Sequence, residues 1–291
     1  MVSIASAFPS SVAIRILGFV HLWPSSRALV AVLVSVFFAA TLPNAAATGQ
    51  IPPTPPPPNA AADYQLGESY LPPAGVTVVA RDWRQQAATG KYGICYVNGF
   101  QTQPEQRKFW RTQHPQLLLR DARGNLVEDR NWPGEYLLDI STTAKREAIA
   151  DIATGWLNLC VKHGFSAVEP DNLDSWTRSG GLLKKRHAIA MAKQFVQIGH
   201  SLGLAVAQKN AGEVLPHAAD IGFDFAVVEE CERYRECDQF TAQFGAHVIE
   251  IEYRKRAFVR ACSRRGVLIS VVRRDLLLRS PNHGGYRYQT C

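Results

Sequence analysis

A chain of 291 residues that is 46% hydrophobic and 20% charged can bury a sizeable core, which excludes a disordered or fibrous protein. Its formal net charge is +7, but the basic residues are dispersed, and the small groups Lys184, Lys185, Arg186 and Arg254, Lys255, Arg256 carry no interleaved aromatics. They read as solvated helix starts, and no nucleic-acid partner is expected.

In chain order, the uncharged apolar run 28–42 follows Arg15 and Arg27 and ends near Ala45, Ala46 and Ala47. That is the layout of a secretory signal peptide spanning 1–47. The run is shorter than the roughly 20 residues a membrane span needs, so the mature chain is expected outside the cell, free of the membrane and monomeric. The signal region carries two of the 32 basic residues and no acid, which leaves 30 minus 25, or +5, for the remainder. The proline-dense stretch 51–59 reads as a semi-rigid spacer. The expected organisation is therefore signal peptide 1–47, linker 48–70 and one folded domain 71–291.

All six cysteines (95, 160, 231, 237, 262 and 291) follow the spacer. An even number in an exported chain points to disulfides. Cys231 and Cys237 can close a small loop, and the terminal Cys291 is expected to pin the chain end, with Cys262 as its candidate partner. For Cys95, in an apolar strand, a free thiol and a bridge stay equally open.

Beyond the linker, eight short apolar runs alternate with helical periodicity: 76–80, 92–97, 136–140, 167–169, 204–209, 223–229, 247–253 and 267–272. Ser141 is placed to cap a helix through His163, with Ile149, Ile152, Trp156 and Leu159 on one stripe and Gly164 as terminator. A second helix lies within 182–202, striped by Ile189, Ala192, Phe195, Val196 and Leu202 and closed by Gly203. Eight strand runs with intervening helices predict an α/β fold, a compact (β/α)8 TIM barrel. A doubly wound sheet is disfavoured, because no G-x-G-x-x-G or G-x-x-x-x-G-K-[ST] loop occurs.

Barrel enzymes build their sites at the carboxyl ends of the strands. There the runs place Asp139, then Glu169 and Asp171, Lys209 and Asn210, Glu229 and Glu230, and Glu252 and Tyr253. No histidine falls at such an end, which disfavours a zinc site or histidine triad, and neither metal nor cofactor is expected. What remains is a carboxylate-lined cleft with aromatics such as Tyr96, Trp132, Tyr136, Trp176 and Tyr253. Those are the materials of a glycosidase, in which paired carboxyl groups protonate the leaving oxygen and attack the sugar or activate water.

The motifs I-C-Y (94–96), W-P-G-E-Y-L-L-D-I (132–140), V-E-P-D-N-L-D (168–174), Q-K-N (208–210), D-F-A-V-V-E-E-C (224–231), Y-R-E-C (234–237) and I-E-Y (251–253) follow in order. Together they resemble glycoside hydrolase family 114, the endo-α-1,4-polygalactosaminidases. The resemblance implies a TIM barrel acting on galactosamine-rich polysaccharide, with Asp171 and Glu229 as the acidic pair; strand alternation agrees that only one of Glu229 and Glu230 points inward. It further implies substrate contacts by Tyr96, Trp132, Asp139, Glu169, Asn172, Asp174, Lys209, Asn210, Glu230, Glu252 and Tyr253. Alternatives from the same residues are a non-catalytic carbohydrate-binding barrel and a glycosidase for another amino-sugar glycan. A polysaccharide deacetylase ranks last for want of histidine ligands.

Overall fold

Eight parallel strands form the barrel wall: β1 (Ala62–Gln65), β2 (Val78–Asp82), β3 (Tyr92–Asn98), β4 (Ala167–Asp171), β5 (Ala205–Lys209), β6 (Phe225–Glu229), β7 (Val248–Glu252) and β8 (Ser270–Arg274). The computed structural model describes residues 53–291. The signal peptide expected over 1–47 lies outside the described residues. The strands pair in sequence order, and a short β9 (Tyr288–Thr290) adds antiparallel to β8.

One expected strand is absent and one strand was not expected. The run 136–140 is not a barrel strand; its residues make isolated bridges such as Gln101↔Leu137 and Leu118↔Leu138, inside a long excursion between β3 and β4. The missing eighth strand is β1, inside the segment 48–70 expected to be linker. Its four residues are all buried and pair in register with β2, Ala62 opposite Val78. The proline run masks it, because an Ala-Ala-Asp-Tyr-Gln stretch is too short to show strand periodicity by itself.

The crossovers explain how so short a chain closes a barrel. The β1–β2 and β2–β3 connections contain no helix. The β3–β4 excursion carries α1 (Arg107–Gln113) and α2 (Thr143–Lys162), and β4–β5 carries α3 (Lys185–Ser201). Then come α4 (Ala218–Ile221), α5 (Cys231–Tyr234), α6 (Cys237–Phe244) and α7 (Lys255–Arg265). The α2 cap is Thr142, whose side chain accepts from the Lys145 N–H, and not the expected Ser141, whose hydroxyl instead donates to Asp139. Gly199 lets α3 lie close on β5: a Cβ there would meet Val206 Cγ2 at 2.5 Å.

Strand alternation sorts the core into layers. Val78, Ala80, Ile94, Ala167, Ala205, Ala207, Phe225, Val227, Ile249 and Ile251 fill the barrel interior. Their out-of-phase neighbours, among them Val168, Val206, Ala226, Val228 and Val248, pack against the helices. The first and last parallel strands meet through a buried ion pair: Arg274 Nη1 donates to Asp63 Oδ1 at 2.8 Å and also to the Tyr64 carbonyl, with both charged side chains fully buried. All six cysteines are bridged, as Cys95–Cys160, Cys231–Cys237 and Cys262–Cys291. The pairing expected from spacing, Cys231–Cys237, and the candidate pairing of terminal Cys291 with Cys262 are both present, and Cys95, left open above, ties β3 to α2.

Candidate active site

The interior phase extends past the apolar layers to the carboxyl ends of the strands. Ala167 faces inward, so Glu169 and Asp171 share its face; likewise Lys209 follows Ala205 and Ala207, Glu229 follows Phe225 and Val227, and Tyr253 follows Ile249 and Ile251. These side chains meet around one ammonium. Lys209 Nζ lies 3.2 Å from Glu169 Oε1, 3.1 Å from Asp171 Oδ1 and 3.1 Å from Glu229 Oε2.

The three carboxylates differ in access. Glu169 is fully buried beneath the lysine, where it accepts from the Tyr64 hydroxyl at 2.5 Å. Asp171 and Glu229 keep 19% and 26% of their side chains exposed, toward an open cavity of about 450 Å³. Besides Lys209, Asp171 accepts from the Tyr96 hydroxyl at 2.7 Å and from the Asn172 N–H at 2.8 Å. Asn172 itself sits in the left-handed region at φ 65°, which asparagine tolerates. Glu229 accepts from Asn210 Nδ2 at 3.1 Å and from the Tyr253 hydroxyl, while its own N–H donates to Asn210 Oδ1 at 2.8 Å.

Burial and charge set the protonation states. Burial works against an ionised Asp171, but Lys209 and the hydrogen bonds from Tyr96 and Asn172 outweigh it and hold this carboxyl below the usual aspartate range. Burial dominates at Glu169 and pushes it up to about 7 despite the lysine. Burial also works to lower Lys209, but Asp171, Glu229 and Glu169 together hold it well above its ordinary value, so it stays charged. Tyr64, Tyr96 and Tyr253 are all pushed up by burial and by the nearby carboxylates, so they remain hydroxyl donors.

The same cavity is lined by Tyr96, Trp132, Asn172, Asp174, Lys209, Asn210 and Tyr253, all expected from sequence. Four expected substrate contacts stand elsewhere. Asp139 is tied to Lys145 and Ser141 at the start of α2. Glu169 lies below the floor. Glu230 begins a left-handed turn at φ 54° and pairs with Arg233 at 2.6 Å, outside the cavity lining. Glu252, one residue out of phase with inward Ile251 and Tyr253, points to the helix layer, where it accepts from the Glu232 N–H and burial lifts it to about 8.

Sequence reasoning missed Tyr64, Asn98, Glu135 and Arg178. Tyr64 sits in the presumed linker. Asn98 is in the interior phase of β3, opposite Asp171 in register. Arg178 follows Asp174 by four residues and gathers Asp174 at 2.9 Å and Asp129 at 2.8 Å, a spacing that could have flagged it. Among the described residues, the close ligand group Cys231, Cys237, Glu250 and Glu252 has its two sulfurs bonded to each other, so no thiolate is on offer for a metal. At the cleft, the lysine ammonium already occupies the centre of the carboxylates.

A second cavity of about 470 Å³ adjoins the first and shares Asp174, Asn210 and Glu229 with it. Exposed Trp132 lines the first and exposed Tyr234 the second. Such an elongated polar trough with an aromatic in each arm suits a polymer better than a single small molecule.

Comparison with known proteins agrees with this geometry. A search of curated proteins found none that matches. Among solved structures, Ega3 from Aspergillus fumigatus, crystallised with galactosamine, superposes with a TM-score of 0.64 at 20% identity, covering 84% of this chain and 98% of that one. The glycoside hydrolase domain of PelA from Pseudomonas aeruginosa gives 0.54 at 14% identity, covering 76% of this chain and 96% of that one. At these identities the likeness establishes the shared barrel. The sequence model of glycoside hydrolase family GH114 matches residues 42–291, most of the chain and every element that carries the carboxylate cluster. The chain therefore belongs to glycoside hydrolase family GH114.

Proposed function

We propose that this glycoside hydrolase is exported and cleaves α-1,4-linked galactosamine-rich polysaccharide within the chain, by a retaining mechanism. The observation that carries the reading is the pair Asp171 and Glu229, both exposed to the trough and both bridged by Lys209. Each bridged oxygen is 3.1 Å from the same nitrogen, so the two are no further apart than twice that distance. This favours the closer spacing of retaining enzymes, about 5–5.5 Å, over the roughly 6.5–9.5 Å that leaves room for an attacking water.

Asp171, held ionised, attacks the anomeric carbon while Glu229 gives its proton to the departing glycosidic oxygen. Water then attacks the glycosyl ester, Glu229 takes its proton back, and Asp171 leaves as carboxylate. Lys209 offsets the charge of Asp171 before the attack and of Glu229 once its proton has left. Support for an amine-bearing substrate comes from the Ega3 complex with galactosamine and from the charge of the trough: six acids line the first cavity, against Arg84, Arg178 and Lys209. Export is supported by the three disulfides, which persist in oxidising compartments.

The test is to incubate the folded domain with de-N-acetylated α-1,4-galactosaminan and follow reducing ends. Glu229→Gln should lose about 10²- to 10⁴-fold in rate, and Asp171→Asn at least as much. Full activity in either variant would overturn the assignment. Retained binding with no cleavage of any amino-sugar polymer by the unaltered domain would favour a carbohydrate-binding barrel.

A further inference from the structure

Each acid on the wall of the first cavity has a cation, with one exception. Asp171 and Glu229 share Lys209, Asp129 and Asp174 share Arg178, and Glu105 lies 3.7 Å from Arg84. Glu135 has none among the described residues. It is half-buried where the excursion between β3 and β4 reaches over the barrel, just after Trp132. Its Oε2 accepts from Asn98 Nδ2 and from Gln101 Nε2, both at 3.1 Å, and its Oε1 accepts from no group among the described residues. Asn98 in turn accepts from Asn172, whose N–H holds Asp171. Glu135 is thus fastened to the nucleophile's own network by one oxygen, with the other unpaired on the cavity wall.

A half-buried carboxyl facing other acids is costly. Burial and the charges of Asp171 and Asp129 push it up to about 7, so it is poised to ionise when a cation arrives. Building on the polyaminosugar reading above, we propose that Glu135 is the residue that recognises the substrate's amine: the ammonium of a de-N-acetylated hexosamine unit pairs with Glu135 Oε1 in the arm of the trough lined by Trp132. A sugar bearing an acetamido group carries no charge at that position. It would leave the carboxyl without a cation, so the same contact discriminates against acetylated units.

Glu135→Gln tests this, because glutamine keeps an oxygen to accept from Asn98 and Gln101 while removing the charge. On de-N-acetylated α-1,4-galactosaminan, kcat/KM should fall about 10- to 100-fold, mostly through KM, as expected for a lost charge-assisted bond. On partially N-acetylated polymer the loss should shrink as acetylation rises. Equal loss on both polymers would mark Glu135 as a structural brace and overturn the proposal, and so would no loss on either. A second measurement separates this from the reaction itself: calorimetric binding of de-N-acetylated oligosaccharide to Glu229→Gln, with and without Glu135→Gln. Weaker binding in the double variant supports amine recognition even if the unaltered domain were to cleave no galactosaminan. Unchanged binding, or none in either protein, overturns it.

Discussion

Lys209 is the residue on which the site's electrostatics turn. Its ammonium is the largest counterweight to the desolvation of Asp171, so its removal must raise the aspartate's pKa. On the proposed mechanism Asp171 has to be ionised to attack, and the acid limb of kcat/KM tracks its titration in the free enzyme. In Lys209→Met that limb should therefore move toward neutral pH, measured as a pH–rate profile on the free-amine polymer. An unshifted limb would show that Lys209 does not govern Asp171. Side-chain phase decided what could be read at this scale from sequence. Alternation allowed only one of Glu229 and Glu230 to point inward, the family resemblance favoured Glu229, and the structure puts only Glu229 in the trough. The same rule, applied to Ile251, Glu252 and Tyr253, would have discarded Glu252. Glu135 directly precedes the run 136–140 that was expected to be a strand, and an excursion stabilised by isolated bridges has no period from which to infer direction.

At the level of elements, the disulfides fix the two regions the site depends on. Cys95–Cys160 joins β3, which carries Tyr96 and Asn98, to α2 across 65 residues of chain; Cys231–Cys237 closes a turn of separation 6 immediately after Glu229. Chain-entropy reasoning makes the longer loop the more stabilising, roughly 4 kcal/mol against about 2. Replacing Cys95 and Cys160 together by alanine should thus lower unfolding free energy more than replacing Cys231 and Cys237, measured by urea denaturation. The opposite ranking would show that native contacts dominate these bridges. The short bridge was legible because its spacing nearly dictates it. The long one was not, because sequence gives no hint that α2 lies behind β3. The strands β4 to β7 were legible from their β-branched runs and the helices that precede them, whereas β1 lacked both signals.

For the whole molecule, closure is the critical step, since β1 and β8 form no ladder and meet through Arg274 and Asp63. A buried ion pair adds little over a well-packed apolar pair, but breaking one side leaves a naked charge. Asp63→Asn should destabilise the fold by roughly 3–5 kcal/mol, read as a lowered denaturation midpoint. A loss well under 1 kcal/mol would show that the barrel closes without this pair. The barrel class itself was readable from eight alternating runs, although one of the eight proved to be an excursion and its replacement lay hidden behind the prolines. Closure also brings the two chemical ends of the site together: Tyr64, from the first strand, holds Glu169 beneath the lysine that bridges Asp171 and Glu229. The central claim is that Asp171 forms a covalent bond to the sugar while Glu229 supplies and withdraws the proton. Its most direct test is intact and peptide mass spectrometry of Glu229→Gln incubated with an α-galactosaminyl substrate carrying a good leaving group. The account predicts an accumulating adduct of one galactosaminyl unit mapped to Asp171; no adduct together with a product of inverted configuration, or an adduct on another carboxylate, would contradict it.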